Sequence, residues 1–303
     1  MEKLSVIIPA RNEPFLNKTV DGLFENAEEE IEIIVMLDGY WPDPPLKPHK
    51  NLIIIHRGEP QGMRENTNAA VNIATGKYIM KSDAHCLYAK GFDKVLKADC
   101  EPDWLVVPNR YSLDDKKWQK RRKAISYLYL TYPYGLDKLY GSGFHGRKWH
   151  GEFGLTGDYY HLEDKRKDIL IDDILAFQGS CWFMHKELLP KIGWLDAANY
   201  HFHQEALEVG FKVWLSGGRV IRNKNTWYAH LHKGKEHGRG FWLSKKNMVF
   251  SEIFAVETWM NNAWPGQTKK LKWLIDKFWP LEGWPEDWDD PKHLKSWKHH
   301  TRR

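Results

Sequence analysis

The chain opens on an unbroken apolar run, Leu4-Ser5-Val6-Ile7-Ile8-Pro9, the pattern of a strand buried on both faces of a parallel sheet. Pro9 ends it, and Ala10-Arg11-Asn12-Glu13 forms a polar loop. Phe15, Val20, Leu23 and Phe24 then recur at helical spacing up to Asn26. Ile31 to Leu37 and Asn51 to His56 read as further strands. Gln61-Gly62 opens a helix through Val71, and Gly76 to Ser82 is a strand that ends in Asp83-Ala84-His85. Strand, helix, strand, strand, helix, strand predicts an α/β fold with a doubly wound central sheet. Such sheets bind ligands beyond the carboxyl ends of their strands. The loops holding Arg11, Asp38 and Asp83 therefore converge on one cleft.

Phe92 to Lys97 reads as a helix and Trp104 to Pro108 as a strand. Lys116 to Lys123 is a dense basic run, either the solvated face of a helix or a phosphate-binding patch. Residues 126–165, rich in Tyr, Gly and His without a clean period, read as an irregular excursion that shapes an acceptor side. Phe177 to Met184 returns to strand, and His185 to Ile192 is a short helix. His201-Phe202-His203 reads as a substrate loop, with a separate metal site as the competing reading. Glu205 to Leu215 is an amphipathic helix stopped by Gly217-Gly218. Arg219 to Ile221 is a brief strand, Thr226 to His232 follows, and Lys233 to Gly240 is a glycine-hinged basic loop. A boundary is expected near residue 255. It separates a main domain, 1–255, from a Trp-rich basic extension, 256–303, packed on it by rings such as those of Trp264, Trp279 and Trp284.

Composition adds modest constraints. The 303 residues are 42% hydrophobic, enough for a sizeable core, with a net charge of +5 that suits an anionic substrate or partner. Cys86, Cys100 and Cys181 show no metal spacing and point to a reducing compartment. The sequence contains no apolar run approaching the roughly 20 residues of a membrane helix. No signal peptide is read at the start, so a cytoplasmic location is expected. The oligomeric state is not readable.

The chemistry centres on Asp83-Ala84-His85. An acid and a histidine one residue apart at a strand end can turn toward one ion, and a carboxylate with an imidazole suits Mn²⁺ or a similar cation. Alone, such a triplet is more often a surface turn. Other motifs change the balance. Ser5-Val6-Ile7-Ile8-Pro9-Ala10-Arg11-Asn12-Glu13 resembles the opening of family-2-type glycosyltransferases of the GT-A fold. Asp83-Ala84-His85-Cys86 resembles the metal motif of the polypeptide N-acetylgalactosaminyltransferases. Gln178 to Phe183 resembles their small-residue strand, and Gln204 to Glu208 with Trp214 to Gly218 resembles their Glu-centred helix. Thr226 to Lys233 is similar to the segment carrying their third metal ligand, at His230. A looser resemblance is to phage-encoded glycosyltransferases that modify DNA bases. Without a lectin domain or anchor in view, the Golgi role of the former group is not carried over.

The resemblance implies a GT-A, Rossmann-like catalytic domain that uses a UDP-sugar with Mn²⁺, or Mg²⁺, held by Asp83, His85 and His230. It places the nucleotide sugar against Pro9, Arg11, Glu13, Asp38, Gly62 and Arg64, with Asp83 and Trp182 deeper in the site. Lys233 and Arg239 close over the diphosphate. Bland readings compete: a turn for Asp38, surface ion pairs for Arg11, Glu13 and Arg64, an aromatic cluster for His230, a solvated loop for 233–240. Glu205 faces the cleft. Inverting relatives continue this motif with an Asp base, but here Ala206 occupies that position, which favours a retaining course. If the enzyme inverts, Glu205 or Asp173 is the expected base. The acceptor carries a hydroxyl. It is either a hydroxymethylated pyrimidine in DNA, engaged through Lys116–Lys123 and the tail, or a polysaccharide or protein. An inactive binding module of the same fold is the rival class.

Overall fold

The computed structural model describes residues 2–130, 132–133, 146–147, 165–281, 283–290 and 292. The chain runs β1 (Leu4–Ala10), α1 (Leu16–Asn26), β2 (Ile31–Asp38), β3 (Leu52–Arg57), α2 (Met63–Ile73) and β4 (Tyr78–Ser82). It continues with β5 (Cys86–Tyr88), α3 (Phe92–Ala98), β6 (Trp104–Asp114), β7 (Gln119–Ala124), β8 (Tyr129–Leu130), β9 (Gly146–Arg147) and β10 (Ile171–Asp173). Last come β11 (Cys181–His185), α4 (Leu188–Lys191), α5 (Glu205–Leu215), β12 (Arg219–His230), α6 (Gly234–His237), α7 (Lys245–Met260) and α8 (Leu271–Lys277).

One mixed sheet organises these elements, in the order β10-β12-β6-β11-β4-β1-β2-β3, with β5 paired to β12 and β7 to β6. β1 and β2 are apolar and buried along nearly their whole length, as a strand covered on both faces must be. β4, β1, β2 and β3 are parallel. β11 is antiparallel to both β4 and β6, and β12 is parallel to β6. The two reversals at β11 cancel, so β12 ends at the same edge as β1, β2 and β4. This is the α/β sheet expected from the sequence, with Ala10, Asp38, Asp83 and His230 delivered to one side.

Several elements differ from the sequence reading. The brief strand at Arg219 and the segment around Trp227 are one strand, β12, interrupted by a register shift between Asn223 and Trp227. Strand pairing with β6 carries the chain across a polar interval that local pattern could not span. The strand expected over Phe177–Met184 begins only at Cys181, leaving 177–180 as a loop on the cleft wall. Lys116–Lys123 is not a helix face. Its residues form the turn and the exposed edge strand β7 of a hairpin with β6, where cations block further strand addition. Residue 255, the expected boundary, falls within α7. Val256, Trp259, Leu274, Trp284 and Trp288 belong to the same core cluster as the sheet, and the Trp284 indole donates to the Leu130 carbonyl at 2.8 Å. Most of the 126–165 excursion lies outside the described residues. Among the described residues no helix is long and apolar enough to cross a membrane.

The start of the sheet is tied by a buried acid. Glu32 accepts from Ser5 Oγ at 2.5 Å, Thr75 N at 2.6 Å and Thr75 Oγ1 at 2.9 Å, and pairs with Lys3 at 3.0 Å. Burial by itself raises the carboxyl, but these donors outweigh it and lower it from 4.5 to about 2. A depressed acid stabilises the fold above its unfolded value and loses that contribution as pH falls toward its folded one. Glu32→Gln is therefore expected to lose about 3 kcal/mol at neutral pH. Its stability should then decline less than that of the wild type between pH 4.5 and 2, read from urea midpoints across that range.

Candidate active site

At the carboxyl edge of the sheet lies a cleft of about 800 Å³, lined in part by Pro9, Arg11, Gly62, Asp83, His85 and His230. Asp83 follows β4 directly, and His230 is the last residue of β12. The turn after β4 runs into β5, whose Cys86 pairs with His230, so His85 is set beside the histidine at the end of β12. His230 Nε2 lies 3.0 Å from His85 Nε2 and 3.3 Å from Asp83 Oδ2, and His85 Nε2 is 3.9 Å from that same oxygen. The three ligand atoms all lie within 4.8 Å of one another.

This donor set fits a borderline divalent cation: one carboxylate oxygen and two imidazole nitrogens facing a common point. The charges agree, and a bound cation would take the place of the proton that His230 Nε2 shares with Asp83. Burial pushes His230 down to about 3, so its ring is neutral. Burial opposes the charge on Asp83, but Lys81 and a hydrogen bond from His230 hold its carboxyl well below the usual carboxylate range. Glu13 Oε2 lies 2.9 Å from His85 Nδ1. An ionised carboxylate only accepts, so Nδ1 donates to it, and in the neutral ring Nε2 then keeps its lone pair toward the site.

Lys81 is the group that pattern reading missed. Its ammonium, 2% exposed, lies 2.6 Å from Asp83 Oδ1, 2.6 Å from the Gly179 carbonyl and 3.3 Å from Glu205 Oε2. One signal was present: a lysine within the strand, directly after the apolar run Tyr78-Ile79-Met80 and two residues before the acid. Glu205 also accepts from Trp182 Nε1 at 2.8 Å. Burial raises its carboxyl above the ordinary value despite Lys81 and Trp182.

Other expected site residues are placed differently. Trp182 is wholly buried in β11 and does not line the cleft; it holds Glu205 rather than a sugar. Asp173, a candidate base, lies on β10 outside the cleft lining, paired with Arg219 at 2.8 Å and Lys277 at 2.8 Å. Asp38 lines the cleft, but its carboxylate accepts from Gln61 N at 2.6 Å, Gly62 N at 3.1 Å and Asn66 Nδ2 at 2.7 Å. It caps α2, a helix whose own N-cap is Gly62 at φ +88° and has no side chain to do so. Arg64 lines the cleft with its guanidinium committed elsewhere: to the carbonyls of His201 and His203, to Glu208, and to the face of Tyr200. The His201-Phe202-His203 stretch is thereby a braced loop. Glu13 lines the cleft with its carboxylate engaged by His85 and Lys233.

Arg11 and Arg239 lie on the cleft lining, stacked over Phe241 at 5.4 Å and Phe202 at 4.9 Å. Phe241 and Trp242, which the sequence reading did not single out, complete that wall.

The chain is similar in sequence and fold to known proteins. A family model described as Glycosyl transferase family 2 matches residues 5–193. A probable N-acetylgalactosaminyltransferase 7 of Caenorhabditis elegans is 20% identical over 279 residues, covering 86% of this chain and 44% of its own length. The chain thus spans less than half of that relative. The crystal structure of GalNAc-T7 with UDP, GalNAc and Mn²⁺ superposes with a TM-score of 0.63 at 16% identity, over 91% of this chain and 57% of the other. That of Staphylococcus aureus TarS 1–349 in complex with UDP-GlcNAc gives 0.54 at 12% identity, over 89% and 68%. With the family match extending over more than half of its length, the chain belongs to glycosyl transferase family 2.

Proposed function

We propose that this chain transfers a sugar from a UDP-sugar to a hydroxyl acceptor, with Mn²⁺, or Mg²⁺, held by Asp83, His85 and His230. The observation that carries the reading is the convergence of these three ligand atoms on a cleft large enough for a nucleotide sugar. The similarity to structures holding UDP with Mn²⁺, and UDP-GlcNAc, supports the same donor class. When bound, the cation neutralises charge that builds on the departing diphosphate.

The chain's own residues do the rest. Lys81 occupies Asp83 Oδ1 and leaves Oδ2 facing the histidines. Arg11, Lys233 and Arg239 offer positive charge along the lining for the diphosphate. Glu205, pinned by Trp182 and Lys81, is rigid, and orienting a donor or acceptor hydroxyl suits it. With Ala206 in place of the inverting base and Asp173 outside the cleft lining, retention remains the favoured course; in an inverting course Glu205 is the base.

A polyanionic acceptor, such as DNA bearing hydroxymethylated pyrimidines, is favoured by one feature. The exposed cations of β7 stand on a hairpin whose Asp115 lies 2.8 Å from His237, next to the 233–240 loop. Flipping a base into the cleft would bring its hydroxyl to the donor.

Three outcomes test this reading. With Mn²⁺ and a panel of UDP-sugars, the wild type should release UDP, and EDTA should abolish release; Asp83→Asn or His230→Ala should lower it by about 100-fold or more. Glu205→Gln should lower transfer by about 100-fold, whereas Asp173→Asn should stay near wild type, by nucleoside mass analysis with hydroxymethylcytosine DNA or by UDP release. Lys81→Met leaves the buried Glu205 and the part-exposed Asp83 without their shared cation, and urea denaturation in EDTA should show a loss of about 3 kcal/mol.

A further inference from the structure

We infer that Glu13 is a positioning residue that joins the imidazole of His85 to the base of the 233–240 loop, so that the ligand and the loop covering the cleft are held as one unit. The inference rests on the proposed reading of Asp83, His85 and His230 as cation ligands.

Glu13 is 7% exposed, at the end of the polar loop after β1. A single oxygen, Oε2, lies 2.9 Å from His85 Nδ1 and 2.6 Å from Lys233 Nζ, while Oε1 accepts from Phe15 N at 3.3 Å. The first contact decides the tautomer. Without a carboxylate at Nδ1, a neutral imidazole is free to carry its proton on Nε2, the atom aimed at Asp83 and His230. The second contact holds the start of the loop, since Lys233 follows His230 by three residues.

The far end of the same loop is held by the neighbouring residue. Asn12 Nδ2 donates to the Gly240 carbonyl at 2.5 Å. A Cβ added at Gly240 would lie 2.5 Å from Asn12 Cβ, so the close approach itself requires glycine there. Asn12 has φ +48°, a left-handed conformation that Asn adopts more readily than most residues. Two consecutive side chains thus grip the two ends of one loop, and one of them also holds a ligand histidine. A lone surface ion pair between Glu13 and Lys233 would be worth little. Burial and the shared oxygen set this pair apart from such a surface bridge.

The test uses the full chain freed of metal, with Mn²⁺ binding by titration calorimetry and tryptic cleavage after Arg239 as readouts. Glu13→Ala should weaken Mn²⁺ binding by about 10- to 100-fold and speed cleavage. Lys233→Met should speed cleavage without lowering Mn²⁺ affinity, because His85 keeps its carboxylate; a loss of affinity there would overturn the separation of roles. Should the alanine variant fail to fold, Glu13→Gln retains an acceptor oxygen without the charge, and a smaller loss in the same direction is expected. Wild-type Mn²⁺ affinity and wild-type cleavage in a folded Glu13 variant would overturn the inference while leaving the cation site standing. A wild-type chain that binds no Mn²⁺ would overturn the cation-site reading, and this inference with it.

Discussion

A buried ammonium is the interaction on which the site depends. Lys81 sits between Asp83 and Glu205, with the Gly179 carbonyl as its third acceptor. Without a cation there, two carboxylates would share a poorly solvated space, and one would have to take up a proton. Lys81 lets Asp83 stay ionised. Its place follows from the sheet: Lys81 of β4 pairs in register with Trp182 of β11, and the Trp182 indole reaches the same Glu205 at the start of α5. Gly179 permits the approach, since a Cβ there would lie 2.8 Å from Glu205 Oε2. β4, β11 and α5 are thus joined by one polar cluster directly behind the proposed ligands.

Strand direction supplies the second constraint. His85 and His230 are 145 residues apart, yet their ring nitrogens lie 3.0 Å apart. That closeness needs β12 to point the same way as β4, which it does because β11 is reversed against both β4 and β6. The short strand β5 then pairs with β12 and sets the turn carrying His85. The helical side is fixed by ions of its own: Arg64 of α2 reaches Glu208 of α5, which also takes Lys212 at 2.7 Å and the Asp196 amide at 2.7 Å. These contacts hold the loop before α5 against the cleft, so its shape is set by packing as well as by the sheet.

Much of this was legible in the chain before folding. The continuous apolar runs of β1 and β2 and the helical spacing of α1 and α5 made the α/β class readable, because burial on both faces or on one stripe writes itself into residue order. The Asp83-Ala84-His85 triplet was readable as a candidate ligand pair, and the segment ending near His230 as its candidate partner through resemblance, and the fold brings the three side chains together. Asp173 and Trp182 sit away from the cleft lining for a common reason. Residue type advertises chemistry, but Asp173 spends its charge on Arg219 and Lys277, and Trp182 its indole N–H on Glu205. Which partner a polar group finds is not a local property.

The sequence by itself determined the layered architecture, the sheet edge at which the cleft opens, and the identity of the candidate cation-holding residues, since these follow from short-range periodicity and side-chain chemistry. Tertiary structure alone decided that Lys81 lies between Asp83 and Glu205, that Asp38 caps α2, and that Glu13 faces both His85 and Lys233. Each of those depends on contacts between segments far apart in the chain. There, the cost of burying a charge unpaired, rather than any local preference, selects the arrangement.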